Sequence, residues 1–95
     1  MIIKVPKPTK TEIIRTFLNQ WDPLNYVDKA GFMFYDYEAE DIAQRIRKNS
    51  KIETIESIVR EDMEDKIRIE RSDAILDDEE CRQMAILIHT WMNSQ

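Results

Sequence analysis

One glycine, three prolines, one cysteine and one histidine are all that 95 residues contain of those types. So few turn-forming residues weigh against an all-β sandwich or barrel, whose short strands need a turn signal about every 8–12 residues. The lone Cys81 rules out an intrachain disulfide and a multi-cysteine zinc site. The lone His89 allows no cluster of histidines, and neither a nucleophile nor a second ligand stands at a diagnostic spacing from it. No apolar run approaches the ~20 residues of a membrane span. Met1-Ile2-Ile3-Lys4-Val5-Pro6 is too short in apolar length for a secretory signal, so a cytoplasmic location is expected. A surplus of basic residues is also missing. The net charge is −5, which disfavours nucleic-acid binding, because that affinity comes largely from Lys and Arg neutralising phosphates.

What is present is a globular composition. Hydrophobic residues make up 42% and charged residues 35%, too much apolar content for a disordered chain. The length predicts a single domain spanning 1–95, with a limited core and modest stability. Pro6 and Pro8 exclude helix from residues 1–8, which read as an extended N-terminal arm carrying Lys4 and Lys7.

Periodicity then predicts an all-α fold, a small bundle of about four helices with a long aromatic loop after the first. Thr9-Lys10-Thr11-Glu12 matches a capping box, and Ile14, Phe17, Leu18 and Trp21 follow at i, i+3, i+4 and i+7. The first helix therefore runs from about Lys10 to Trp21, where Pro23 ends it by biasing Asp22 away from the helical region. The stretch from Asp22 to Tyr35 is long for a loop in a compact domain and carries Leu24, Tyr26, Val27, Gly31 and Phe32-Met33-Phe34-Tyr35; much of it should pack on the helices. A second helix opens near Asp36 or Tyr37 and turns Ala39, Ile42, Ala43 and Ile46 inward. Ser50-Lys51-Ile52-Glu53 reads as another capping box, before a third helix with Ile52, Ile55, Ile58, Val59 and Met63. Residues 64–76 fit either a short strand, with Ile67 and Ile69 alternating with charges, or a prolonged third helix. Asp77-Asp78-Glu79-Glu80 places acids at the positive end of a fourth helix dipole. That helix carries Cys81, Met84, Ala85, Ile88, Trp91 and Met92 on one side, while Ile86 lies nearly opposite and Leu87 flanks the stripe.

No set of these residues makes a catalytic, cofactor-binding or metal site. Asp36, Glu38, Glu40 and Asp41 are explained by the dipole preference of a helix start. Convergence on a divalent ion would need ligands from elsewhere, such as His89. Cys81 reads as a small buried hydrophobe. Most aromatics are core candidates, since each buries about 150–250 Å². Tyr37 is the exception, because its helical phase turns it away from the Ala39–Ile42–Ile46 stripe. Exposed tyrosine beside carboxylates has the composition of a protein-binding hot spot. The partner surface expected from sequence is Asp22, Tyr26, Tyr35, Asp36, Tyr37, Glu38 and Asp41, facing a protein partner that its acidity would suit if cationic. The surplus apolar residues Ile86 and Leu87 predict the alternative of a homodimer through the last helix. A divalent-metal-dependent enzyme ranks third.

Trp21-Asp22-Pro23-Leu24, then Tyr35-Asp36 with Glu38-Ala39-Glu40-Asp41-Ile42, then Asp78-Glu79-Glu80-Cys81 with Met84-Ala85, resembles the YugE-like family of small bacterial proteins of unassigned function. The likeness runs from about residue 13 to 90; this chain differs in a longer insertion between Trp21 and Tyr35 and in its Lys/Pro arm at 4–10. The resemblance implies a compact, mostly helical cytoplasmic domain without a described catalytic residue. Small acidic proteins with the Trp-Asp-Pro motif also look like immunity proteins that accompany bacterial toxins, which implies a non-catalytic protein-interaction module of immunity type or a regulatory one.

Overall fold

Thr9 and Glu12 satisfy one another at the start of the first helix. Thr9 Oγ1 accepts from the Glu12 amide at 3.1 Å and Glu12 Oε1 accepts from the Thr9 amide at 3.0 Å, two of the amide donors that a helix start leaves without partners. The computed structural model describes residues 6–95. The expected arm falls partly outside them, at 1–5, while the rest of it, 6–8, is exposed and has no helix or strand. Five helices and no strand are found among the described residues: α1 (Lys10–Trp21), α2 (Val27–Ala30), α3 (Asp36–Arg45), α4 (Ile52–Ile69) and α5 (Asp78–Asn93). The all-α bundle read from the sequence is the fold, with α2 as an extra short helix inside the long loop.

Asp22 organises that loop. It closes α1 in the left-handed conformation (φ 44°), its amide donating to the Leu18 carbonyl at 2.7 Å. Its carboxylate accepts from the amides of Tyr26 (3.0 Å) and Val27 (3.2 Å), so it supplies the cap of α2 from four residues upstream. Gly31 ends α2 at φ 90° and ψ 173°, a backbone conformation that costs glycine little and other residues much. Only part of the loop is packed. Leu24 and Tyr35 are in the core, Val27 and Phe34 pack against it, and Phe32 and Met33 stand exposed.

The second capping box predicted from Ser50 does not form. Lys51 occupies the N-cap of α4 with no side-chain bond, and Ser50 Oγ instead accepts from the Arg47 amide at 2.8 Å, closing the turn after α3. The ambiguous stretch after residue 63 resolves as helix through Ile69. Ile67 packs beside the core while Ile69 points out, because residues two apart on a helix face nearly opposite ways. α4 then stops in a Schellman arrangement. Arg71 takes a left-handed φ of 52°, its amide donates to Arg68, and the Ser72 amide donates to Ile67. Asp77 caps α5, accepting from the Glu80 amide at 2.9 Å.

α1 packs on α3, α3 on α4 and α4 on α5. One core joins Ile14 and Leu18 to Ala39, Ile42 and Ile46, then to Ile55, Val59 and Met63, and finally to Ala85, Ile88 and Met92. The outer helices are joined by a side-chain bond from the last residue of α1, Trp21, whose Nε1 donates to Glu80 Oε1 at 2.9 Å.

Candidate functional site

Two of the seven residues expected to face a partner are buried, and a third serves the fold. Tyr35 is 0% exposed. Its hydroxyl donates to Asp22 Oδ1 at 2.7 Å and accepts from the Leu24 amide at 3.0 Å. Burial, and then the bond to Asp22, hold its ionisation well above the usual phenol range. Tyr35 and Asp22 are therefore the latch of the loop, not part of its outer surface. Glu38, at 3% exposed, lies inside the seam between α3 and α4 because its side chain falls next to Ala39 and Ile42 on the inward side of α3. Asp36 is half-buried and tied to α1 by Arg15 at 2.7 Å. Tyr26 is partly exposed and sits edge-to-face on Phe34, ring centroids 5.3 Å apart. Tyr37 stands out at 72% exposure, as its phase predicted.

What the structure does bring together is Tyr37, Glu38 and Asp41 of α3 with Glu61, Asp62 and Asp65 of α4, around an open groove of about 370 Å³. Ile69, 67% exposed, stands on the α4 side. The basic residues at this groove are Arg45 and Arg68. Arg45 bridges Asp41 and Glu61 at 3.3 Å each, and Arg68 holds Asp65. These pairs are largely solvated and contribute little to stability.

Asp62 is different. It is 6% exposed, and its Oδ2 is buried with no hydrogen-bond partner. Burial first, then the neighbouring Asp41 carboxyl, push its carboxyl up to about 7, and Arg45 only partly offsets them. Asp62 was missed in the sequence. The signal was there: it stands four residues after Ile58 and three after Val59, a carboxylate on the apolar stripe of α4.

Further along the same seam, a cation already sits among carboxylates. Lys66 lies 3.7 Å from Glu38 Oε1 and 3.5 Å from Glu70, with its ammonium 4.1 Å from the centre of the Phe34 ring. Burial raises the Glu38 carboxyl, while its own backbone amide and Lys66 act against that rise.

Asp36, Glu38, Asp41 and His89 do not converge. Among the described residues, no group of three or more His, Cys, Asp or Glu side chains has the geometry to hold a metal ion. Cys81 is buried on the inner stripe of α5, and burial pushes its thiol up, away from the thiolate that nucleophilic chemistry needs.

Ile86 and Leu87 are placed differently on α5. Successive helical residues point about 100° apart; Ile86 is half-buried, and Leu87, 42% exposed, lines a second, apolar groove with Phe17, Trp21 and Met84 between α1 and α5. No described helix is long and apolar enough to cross a membrane. Comparison with protein families, curated proteins and solved structures gives no match.

Proposed function

We propose that this protein is a non-catalytic interaction module whose partner protein docks across the α3–α4 groove, in an immunity-type or regulatory role in the bacterial cytoplasm. The observation that carries the reading is the pairing of two large exposed side chains from different helices, Tyr37 and Ile69, over a floor of carboxyl groups. An amphipathic tyrosine and an aliphatic side chain around a polar recess have the composition of an interface hot spot. The carboxyl floor suits a cationic partner through charge complementarity. The resemblance of the Trp21-Asp22-Pro23-Leu24 region to YugE-like and immunity-like proteins agrees with this reading.

Affinity capture from the native host tests it, with the wild type, a Tyr37→Ala/Asp41→Ala variant and a Glu79→Ala control. A prey retained by the wild type and the control but missing from the double variant is the expected result. The same preys from all three would remove this face from consideration. A toxin gene immediately upstream would favour the immunity role over the regulatory one.

A second reading is self-association through α5, favoured by the apolar groove beside Leu87, with Glu79 and Glu80 along it. Light scattering after size exclusion tests it, since a monomer at high concentration would end it.

A further inference from the structure

We propose that the part of the α3–α4 groove floored by Asp62 and Asp41 is a seat for the cationic head of one lysine or arginine side chain from a partner protein. This inference rests on the docking face proposed above and names the chemistry at its centre.

Three observations carry it. First, Asp62 is a buried carboxyl with an unpartnered oxygen, and it lines the groove. Leaving such an oxygen unbonded costs about 1–3 kcal/mol, so the position calls for a proton or an external donor. Second, five carboxyl groups line the groove against two guanidinium groups, and both guanidinium groups are already engaged by Asp41, Glu61 and Asp65. None of these ion pairs includes Asp62. Third, the seam already contains the proposed arrangement one turn further along α4, where Lys66 lies between Glu38 and the face of Phe34. At Asp62 the carboxyl floor and an aromatic wall, Tyr37, are repeated, and no cation of this chain pairs with it among the described residues.

The shape selects the cation. No metal-binding geometry exists among the described residues, whereas Tyr37 and Ile69 offer the apolar walls that the methylene stem of a lysine or arginine needs. Below about pH 7, with the groove empty, Asp62 keeps its proton beside the Asp41 carboxyl. An arriving ammonium or guanidinium replaces that proton, which leaves to water. Asp62 is faced by Asp41, Glu38 and Arg45 from α3, with Glu61 and Asp65 beside it on α4. The charges of α5 nearest α4, Asp78 and Arg82, pair on another edge with Arg60 and Glu56. Seating therefore strengthens as pH rises and levels off above about 7, where Asp62 has already lost its proton. Below that, the exchange of one proton changes affinity by up to about tenfold per pH unit.

Amide-detected NMR titration tests the proposal, using capped Gly-Arg-Gly, Gly-Lys-Gly and neutral Gly-Gln-Gly peptides on the full chain. Saturable shifts confined to the groove-lining amides of α3 and α4 are expected with the arginine or lysine peptide at pH 8, and none with the glutamine peptide. Affinity should fall at least tenfold at pH 5.5, and at least tenfold in Asp62→Asn at pH 8. That variant replaces an acid by its neutral near-isostere, and its fold is checked by circular dichroism. No saturable shift from either cationic peptide, undiminished binding to Asp62→Asn, shifts spread equally over Glu79 and Glu80, or displacement of the peptide by sub-millimolar Mg²⁺ would each overturn the seat. If the capture experiment nonetheless depends on Tyr37 and Asp41, the docking face stands and only the basic side chain is lost.

Discussion

Replacing Asp62 by asparagine removes an ionisable group from a buried position while nearly preserving its shape. The native carboxyl is pushed up to about 7 from an ordinary value of 3.8, first by burial and then by Asp41. Between those two pH values the folded chain holds a proton that the unfolded chain has released. Folding therefore becomes less favourable as pH rises through that window, and the full penalty is present only above it. At 1.36 kcal/mol per pH unit, the bound on the penalty is about 4 kcal/mol. Water in the open groove screens the site and Asp41 takes part of the charge, so the expected gain for Asp62→Asn at pH 8 is about 1–2 kcal/mol. For a domain of this length, that raises Tm by roughly 5–15 °C. At pH 4 the gain should nearly vanish, because the wild-type carboxyl is then neutral in the fold and about half protonated in the unfolded chain. Urea unfolding of both proteins at pH 4, 6 and 8 measures the difference directly, and other carboxylates largely cancel. A difference that stays constant with pH, or an asparagine variant less stable at pH 8, would refute the assignment of Asp62 as a protonated buried acid.

Three further outcomes follow from the packing. Tyr35→Phe removes the donor to Asp22 and leaves the Leu24 amide without its acceptor; a loss of about 1–3 kcal/mol is expected, with faster hydrogen exchange concentrated between residues 24 and 35. Arg71→Gly relieves a left-handed backbone at the end of α4 and should stabilise by up to about 1 kcal/mol in urea unfolding. Thr9→Ala deletes one half of the α1 capping box and should cost about 1 kcal/mol by the same measurement.

The helical class was legible because it rests on local spacing. Ile14 and Leu18, Ile42 and Ile46, Ile55 and Val59, and Met84 and Ile88 fall on one side of their helices whatever the tertiary partner. Tyr37 was legible for the same reason, since the phase that turned Ala39 and Ile42 inward turned it outward. Residues 64–69 were not, because alternation of apolar and charged residues over so short a span fits a strand as well as a helix. The Ser50 box failed because matching letters do not fix backbone direction; the hydroxyl bonded backward to Arg47 instead of forward.

The sequence alone thus determined the four main helices, the start of the first at Thr9, the acids that open the last and the break at Pro23, because caps, periodicity and φ restriction act over a few residues. Tertiary structure alone decided the roles of the carboxylates. Asp22 caps a helix it does not belong to, Glu38 meets Lys66 across a seam, and Asp62 is buried against Asp41. A carboxylate's charge state and partners depend on the dielectric and the neighbours that the fold brings. Glu38 with Lys66 and Asp62 with Asp41 lie more than twenty positions apart in sequence, and even Asp22 finds its amides only because the loop turns back on it.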